Sequence, residues 1–238
     1  MPKEYDRLHP SFLQAGIFEG LTPTQIEEVT GHFQTRTLGD DVFVFHEGEL
    51  ATMFYLVLEG QVKILQASPE GFDVILHILG PGNIIGALPS LGAGTYPASA
   101  LTLGDVKLAR TSADEFHSDL ERHPTITKNL LRFATRVVQN SHTKIRELST
   151  ERVERRIARA LSRLAGQLGR ETAQGILLDF PLSRQDLAEM TGTTVFTVSR
   201  TLKNWERRGV VQLGRERISI AIPHELIAIG EDLPPSSP

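Results

Sequence analysis

The chain of 238 residues is 40% hydrophobic and 23% charged, a composition suited to a globular protein with two small domains. It contains no cysteine, which excludes disulfides, thiolate zinc sites and cysteine-ligated iron–sulfur clusters. No apolar run approaches the roughly 20 residues of a membrane span, and the N-terminal MPKEYDRLHP lacks the apolar segment of a signal peptide. We therefore expect a cytoplasmic protein without a membrane partner.

The net charge of −4 is unevenly distributed along the chain. Residues 1–150 carry 12 basic and 18 acidic side chains, whereas residues 151–238 carry 13 basic and 11 acidic ones. Within residues 183–217, seven basic side chains stand against four acidic ones. A basic segment on an acidic chain is suited to phosphate contact, although a solvated charged surface gives the same imbalance.

A short helix is predicted first, over residues 23–32, with Thr22 as its N-cap. From Gly39 to Leu108 the sequence changes to short β-branched or aromatic runs, namely VFVF, MFYLVL, VKILQ, DVILHIL and DVKLAR. Glycines separate these runs at intervals of 10 to 12 residues: Gly48, Gly60, Gly71, Gly82, Gly94 and Gly104. Short strands at this spacing predict an antiparallel sandwich or jelly roll, with a hairpin turn at 68–71.

A long helix is predicted from Pro124 to Leu148, since Pro suits a first helical turn and few breakers follow. One stripe of this helix consists of Ile126, Leu130, Phe133, Val137 and the polar Asn140. Leu131, Ala134 and Val138 form a second apolar face. A helix packed only on its own domain needs one apolar face, so two faces favour a second partner. We expect the first stripe to be the seam of a parallel homodimer, with Asn140 fixing the register.

Residues 146–152 are charged and form the expected hinge between two domains. A second helix follows, with apolar residues at helical spacing: Val153, Ile157, Leu161, Leu164 and Leu168. Gly169 is expected to end it.

Residues 181–209 carry the most informative motif of the sequence, PLSRQDLAEMTGTTVFTVSRTLKNWERRG. Ser183 and Asp186 form a capping pair for a helix over 184–190, and Gly192 permits the positive φ of a tight turn. Thr194 is expected to cap the next helix. Two helices joined by a short glycine turn predict a helix-turn-helix, whereas a helical hairpin in a core is the alternative.

The second helix of this motif is expected to end near Arg208, with Gly209 as its stop. Its single apolar stripe consists of Val198, Leu202 and Trp205, while Ser199, Arg200, Lys203 and Arg207 lie largely off that stripe. This division favours a helix that presents polar side chains outward. The following VVQLGRERISIAI predicts two strands around a turn, a wing with Arg215 at its tip.

The order of these elements, with PLSRQDLAEMTG, TVSRTL and GVV, resembles the Crp/Fnr family of bacterial regulators over essentially the whole chain. FYLVLEGQVKILQASPEG and YPASA resemble its branch of nitric-oxide-responsive denitrification regulators. The resemblance implies an α+β protein with an antiparallel, cyclic-nucleotide-binding-like β-roll sensor (jelly roll) over 1–120. It further implies a dimerisation helix over 121–148, a winged helix-turn-helix over 149–230 and a disordered tail over 231–238.

Such a protein would be a homodimeric, allosterically controlled DNA-binding regulator with a palindromic operator and RNA polymerase as partners, not an enzyme. The residues expected to contact DNA are Arg184, Gln185, Thr194, Val195, Phe196, Thr197, Ser199, Arg200, Lys203 and Arg215. In the family an arginine at the position of Arg200 reads guanine. Phe196 stands where the family usually has a glutamate that accepts from cytosine, so we expect an altered half-site at that base.

The effector pocket implied by the resemblance is Ile84, Ile85, Gly86, Ala87, Leu88, Pro97 and Ala98. Members that bind cyclic AMP hold the ribose with Gly-Glu and the phosphate with Arg-Ser. Here Ala87 replaces the glutamate, and Pro97 and Ala98 replace the arginine and serine. Because a phosphate buried without a cation or donors carries a severe desolvation cost, cyclic AMP is not expected.

Haem is an alternative effector suggested by the denitrification branch, with a histidine as iron ligand. His77 is the candidate in a strand-like run, although a hydrogen-bonded or outward-facing histidine would fit there too; the other candidate ligands are His9, His46, His142 and the Pro2 amine. An unidentified apolar ligand, or no effector at all, are the remaining alternatives. The chain lacks a phosphate loop, a nucleophile elbow and a metal-spaced cluster, which argues against an enzyme. A cyclic-nucleotide-binding-like signalling module would not explain the helix-turn-helix.

Overall fold

The computed structural model describes the chain in the ranges 8–69, 71–87, 92, 94–215 and 217–233. The chain divides into two compact units, each made of two segments. Unit 1 comprises residues 1–66 and 78–140, and unit 2 comprises residues 67–77 and 141–238. The boundary falls inside the long helix, whereas the boundaries predicted from the sequence lie at the two ends of that helix.

Unit 1 contains most of a six-stranded sheet, whose residues 67 and 73–77 belong to unit 2. The strands are β1 (Gln34–Leu38), β2 (Phe43–Phe45), β3 (Met53–Ala67), β4 (Asp73–Leu79), β5 (Ile84–Ile85) and β6 (Ser99–Ser112). Their order is β1-β6-β3-β4, with β2 added to β6 and β5 added to β3. The long strands β3 and β6 pair antiparallel from Met53↔Ser112 to Leu65↔Ser99. This is the β-roll expected from the sequence, with MFYLVL and VKILQ joined into one strand.

Gly60 shows why that strand needs a glycine at its centre. The β3–β6 register shifts on both sides of Glu59. Gly60 has a φ of +80°, and a Cβ there would lie 2.2 Å from the backbone oxygen of Asp105. No side chain fits at that approach, so the bulge and the glycine require each other.

The helices of unit 1 pack on one face of this sheet. They are α1 (Pro10–Gln14), a 3₁₀ turn (Gly16–Phe18), α2 (Pro23–Thr30), α3 (Ala113–Arg122) and the first part of α4 (Pro124–Thr150). Thr22 and Ser112 begin α2 and α3 with capping boxes, so the predicted cap at Thr22 is confirmed. The main apolar cluster joins the helices to the sheet and includes Phe12, Phe18, Phe54, Leu56, Phe116, Ile126 and Leu130.

Unit 2 contains a helical core and a second sheet. Its elements after α4 are α5 (Val153–Leu168), β7 (Arg170–Thr172), β8 (Gly175–Leu178), α6 (Arg184–Thr191), α7 (Val195–Arg207), β9 (Val211–Leu213), β10 (Ile218–Ile220) and α8 (Pro223–Glu231). The sheet order is β7-β8-β10-β9. Strands β7 and β8 and helix α8 were not predicted, and α8 includes Glu231 of the expected tail. Residues 234–238 lie outside the described residues.

The junction between α4 and α5 is narrower than the predicted hinge at 146–152. Helix α4 runs to Thr150, and α5 begins at Val153. Buried Glu147 accepts from Arg163 (2.7 Å), so the last turns of α4 are tied to α5 by an ion pair. The two residues between the helices are therefore the break in the backbone, and the hinge role remains a prediction.

The hairpin of residues 67–77 belongs to unit 2 and is held by α4. The Lys144 Nζ donates to the backbone oxygens of Ile75 (2.8 Å) and Leu76 (3.2 Å). Burial and the nearby Arg163 lower the pKa of Lys144 to about 8. The predicted turn is present, because the Gly71 backbone N–H donates to the Ser68 oxygen (2.9 Å).

Candidate nucleic-acid interface and sensor site

The turn between α6 and α7 is fixed by local interactions that the sequence encodes. The Asp186 backbone N–H donates to Ser183 Oγ (3.0 Å), and the Ser183 N–H donates to Asp186 Oδ2 (2.8 Å). Gly192 ends α6 in the left-handed region with a φ of +60°. The predicted capping pair and the predicted turn are both confirmed, and together they orient α7 relative to α6.

Helix α7 has one buried face and one exposed face. Val198, Leu202 and Trp205 are buried, and the Trp205 Nε1 donates to Glu154 Oε1 (2.9 Å). Thr194 caps the helix, since the Thr197 backbone N–H donates to its Oγ1 (3.2 Å). The predicted apolar stripe is therefore the contact of α7 with the rest of unit 2, and the opposite face is free to meet a partner.

The exposed face of α7 carries the side chains predicted to read bases. Phe196 is 73% exposed and Val195 38% exposed, although both are apolar. The Arg200 guanidinium carbon lies 5.9 Å from the centre of the Phe196 ring, a cation–π distance. Of the remaining residues predicted to bind DNA, those exposed are Arg184, Gln185, Thr194, Lys203 and Arg215, and those half-buried are Thr197 and Ser199.

Strands β9 and β10 form the predicted wing beside α7. They pair antiparallel, and the Gly214 backbone N–H donates to the Arg217 oxygen (2.9 Å) to close the turn. The Leu213 backbone N–H donates to Glu206 Oε1 (3.1 Å), which ties the wing to the end of α7. Arg215 lies exposed in the turn, as predicted from its position after Gly214.

The predicted effector pocket does not form one lining. Successive residues of a strand face opposite sides of a sheet. Ile84 accordingly packs in the cluster shared with the helices, whereas Ile85 packs in the interior of the β-roll. Ala87 lies after the end of this strand and packs in the same cluster as Ile84. The prediction that Ile84 and Ile85 line the same pocket is therefore wrong.

Two aromatic rings stack inside the β-roll beside Gly86. The Tyr96 and Phe45 rings stack with centres 3.7 Å apart, and Tyr96 Oη donates to the Met53 backbone oxygen (2.8 Å). Burial raises the pKa of Tyr96 to about 12, so the phenol stays protonated. A Cβ on Gly86 would lie 3.0 Å from the Tyr96 ring. The close approach of Tyr96 thus explains why position 86 is a glycine, and no bound ribose is needed to explain it.

The other positions of the predicted pocket differ in exposure. Ala98 is buried, whereas Pro97 is exposed and its backbone oxygen accepts from Gln66 Nε2 (2.7 Å). Neither side chain can neutralise a phosphate. Leu88 lies outside the described residues.

The predicted dimer seam needs a correction. Ile126 and Leu130 are buried in the core of unit 1, and Phe133 packs against that core. Ile126 and Leu130 cannot also meet a second copy, so the seam prediction is wrong for these two residues. Phe133 is half-buried, and its place in the seam remains a prediction. The helix turns its other apolar face outward, because Leu131 is 69% and Val138 52% exposed. Val137 is half-buried and Asn140 exposed, and their place in the seam remains a prediction.

His77, the preferred haem ligand, lies in unit 2, whereas the described pocket residues belong to unit 1. Its pKa is lowered by burial, and by the positive charges of Lys144 and Arg163. The lowered pKa favours the neutral form of the ring, and the role of His77 as a haem ligand remains a prediction.

The other candidate ligands are engaged or exposed. His9 Nε2 lies 3.3 Å from Glu59 Oε1, while its Nδ1 accepts from a backbone N–H. His46 and His142 are exposed, and Pro2 lies outside the described residues. Within the described ranges, no group of three or more His, Cys, Asp or Glu side chains is placed to hold a metal ion. Haem ligation needs only one or two side chains, so the haem alternative stays a prediction.

A β-roll joined by a long helix to a winged helix-turn-helix defines a DNA-binding protein with a sensor-type domain. The cyclic nucleotide-binding domain family matches residues 35–123, and the Crp-like helix-turn-helix domain family matches residues 155–229. The chain belongs to the Crp/Fnr family of DNA-binding transcription regulators. Among the described residues, no helix is long and apolar enough to cross a membrane.

Several known proteins are similar over most of the chain. The CRP-like cAMP-activated global transcriptional regulator of Mycobacterium tuberculosis is 28% identical over 208 residues, 87% of this chain and 93% of that protein. The catabolite activator protein of Thermus thermophilus is 29% identical with a TM-score of 0.53, covering 92% of this chain and 100% of that one. FixK2 of Bradyrhizobium japonicum shares the fold, with a TM-score of 0.73 at 19% identity, covering 87% and 99%.

Proposed function

We propose that this regulator binds a dyad-symmetric operator as a homodimer, one α7 helix entering the major groove of each half-site. The exposed face of α7 is the observation that carries the proposal. It presents Arg200, Lys203 and Phe196 outward, while the opposite face is fixed in the core. An α-helix fits the major groove, and an arginine there can donate two hydrogen bonds to guanine. Two half-sites one helical turn apart require two copies of the helix.

The outward face of α4 supports a parallel dimer along that helix. Leu131, Val138 and Ile145 recur every seven residues, and they are 69%, 52% and 61% exposed. Positions three residues after each of them carry Ala134, Ser141 and Leu148. This is the heptad spacing of a coiled-coil seam. The proposed seam is therefore the Leu131–Val138–Ile145 stripe rather than the stripe predicted from the sequence.

In this proposal the junction after α4 transmits a signal to the DNA-binding elements. The Arg156 Nε donates to the Thr191 backbone oxygen (2.9 Å) and its Nη2 to the Gly192 oxygen (3.2 Å). Helix α5 is thus attached to the turn that orients α7. A change in the packing of the two α4 helices would move both recognition helices together, and an effector would act by shifting that population.

The proposed effector is a molecule other than cyclic AMP, or no effector acts. Ala87, Pro97 and Ala98 supply neither a carboxylate nor a cation, and the Tyr96–Phe45 stack lies beside Gly86 in the β-roll. Haem with nitric oxide is the effector suggested by the resemblance, but the described histidines give it little support. We also propose RNA polymerase as the protein partner, because a transcription regulator changes its action at a promoter.

Binding-site selection from a random duplex pool tests the DNA-binding proposal. We expect a dyad-symmetric site, and the logarithm of the binding constant should fall linearly with the logarithm of salt concentration. Arg200→Ala should cost about 1–3 kcal/mol on the selected site and relax specificity at one base pair. Lys203→Ala should weaken all duplexes about equally. Selection of a site without dyad symmetry would contradict the dimeric arrangement.

The effector proposal is tested with the selected operator. Saturating cyclic AMP should leave operator affinity unchanged, and calorimetry should detect no binding. An absorbance spectrum after addition of haem, then of nitric oxide, tests the haem alternative. A saturable Soret band, one per subunit, that also changes operator affinity would establish it, and His77→Ala should then remove the band if His77 is the ligand.

A further inference from the structure

We propose that Phe196 and Arg200 act as one reading unit that recognises a 5-methylpyrimidine close to a guanine in the operator. Thymine and 5-methylcytosine are the two bases with this methyl group. The inference rests on the proposed function, because it assumes that α7 enters the major groove. It goes further by naming the chemical group that the aromatic side chain selects.

The chemistry of the Phe196 ring limits what it can read. A phenyl ring neither donates nor accepts a conventional hydrogen bond, so it cannot recognise the polar edge of a base. The thymine methyl is the apolar group that base pairs present in the major groove. A ring left 73% exposed on a helix that otherwise buries its apolar stripe is suited to a partner that covers it.

The distance between the two side chains sets where the methyl group lies. The Arg200 guanidinium carbon is 5.9 Å from the ring centre, so the cation rests against the ring while its N–H edges remain free. The two residues are four positions apart, about 6 Å along the helix axis, and base pairs are about 3.4 Å apart. A guanine bound by Arg200 therefore places the methyl one or two base pairs away.

The same geometry predicts that Phe196 also recognises 5-methylcytosine. In 5-methylcytosine the methyl is attached to the ring carbon that carries it in thymine, so the apolar surface facing Phe196 is the same. The guanine partner of the modified base changes the polar edges, which Phe196 does not read. The reading unit should consequently distinguish methylated from unmethylated cytosine at this position.

Removal or addition of single methyl groups in the selected operator tests the proposal. Replacing each thymine in turn by uracil removes only the methyl group. At the position read by Phe196 we expect the operator affinity to fall about fourfold per half-site, and about 15-fold when both half-sites are changed. The fourfold factor corresponds to the free energy of burying about one methyl-sized group. At the same position, 5-methylcytosine should bind more tightly than cytosine by a similar factor.

Protein variants assign the effect to the ring. Phe196→Ala should abolish the thymine/uracil ratio and the methylcytosine/cytosine ratio, and it removes no core contact because the ring is exposed. Lys203→Ala, on the same helix, should lower affinity for all four duplexes while keeping both ratios. Equal wild-type affinity for thymine and uracil at every position would overturn the proposal, as would an unchanged ratio in Phe196→Ala. Failure to select any specific operator would instead overturn the proposed function.

Discussion

The outward stripe of α4 can be tested by removing two of its apolar side chains. Leu131 and Val138 are 69% and 52% exposed in one chain. If they form the seam of a symmetric dimer, both are covered by the partner copy. The double variant Leu131→Ala/Val138→Ala removes most of the apolar surface of these two side chains. It introduces no charge, and alanine preserves the helix.

The magnitude follows from the exposed fractions. Burying a whole Leu or Val side chain contributes about 1.5–3 kcal/mol, and roughly half to two-thirds of each remains to be covered. Truncation to alanine then costs about 1 kcal/mol per side chain, or about 4 kcal/mol for the four side chains of a dimer. That corresponds to about a thousandfold rise in the dimer dissociation constant.

Sedimentation velocity over a dilution series measures this constant for the full chain. The wild type should sediment at about twice the 26.3 kDa of one chain, and the variant as a monomer at the same concentration. Ile227→Ala is a matched control, since Ile227 on α8 is also 52% exposed but lies off the stripe. Ile126→Ala should lower stability through a core cavity and leave the dimer constant unchanged. A double variant that sediments like the wild type at every concentration would exclude Leu131 and Val138 from the dimer seam.

Three further predictions concern the stability of unit 2. The chain has one tryptophan, Trp205, and its fluorescence reports the unfolding of this unit. Gly192→Ala should destabilise the unit by about 1–2 kcal/mol, because φ is +60° and the new Cβ would lie 3.1 Å from Leu148; an unchanged urea midpoint would contradict this. Trp205→Phe should cost about 1 kcal/mol or more by losing the hydrogen bond to Glu154, measured by circular dichroism. The pKa of Lys144 is lowered from 10.5 to about 8 in the folded protein. Between pH 8 and 10.5 the unfolded chain therefore binds more protons at Lys144 than the folded chain does. Stability should therefore rise by about 2–3 kcal/mol from pH 8 to 10.5, and Lys144→Met should flatten that rise; equal slopes for the two proteins would rule it out.

The helix-turn-helix was predictable because local chemistry decides it. A serine cap, a glycine at positive φ and a threonine cap fix the ends of α6 and α7 within a few residues of sequence. The periodicity of Val198, Leu202 and Trp205 then selects the buried face. No distant contact was needed to place these elements.

Elements whose positions depend on distant partners were not predictable in the same way. Strand β1 has exposed residues at four of its five positions, so no alternation of apolar and polar residues marks it. Its pairing with β6 holds it in the sheet. The two apolar faces of α4 have similar periodicity in the sequence, and the packing of Ile126 against the β-roll decides which face is outward. Periodicity indicates that a helix has two partners. It does not indicate which face packs on the helix's own domain and which face remains for another partner.

The outward position of Val138 has a practical consequence in a chain without cysteine. Along a parallel two-fold seam each residue faces its own copy, whereas in an antiparallel pair it faces a different residue. A single cysteine introduced at position 138 would have no competing thiol, so oxidation would join two subunits through one defined bond. The yield of that covalent dimer would give the relative direction of the two α4 helices, and the linked protein would fix the subunits at one spacing for measurements on operator DNA.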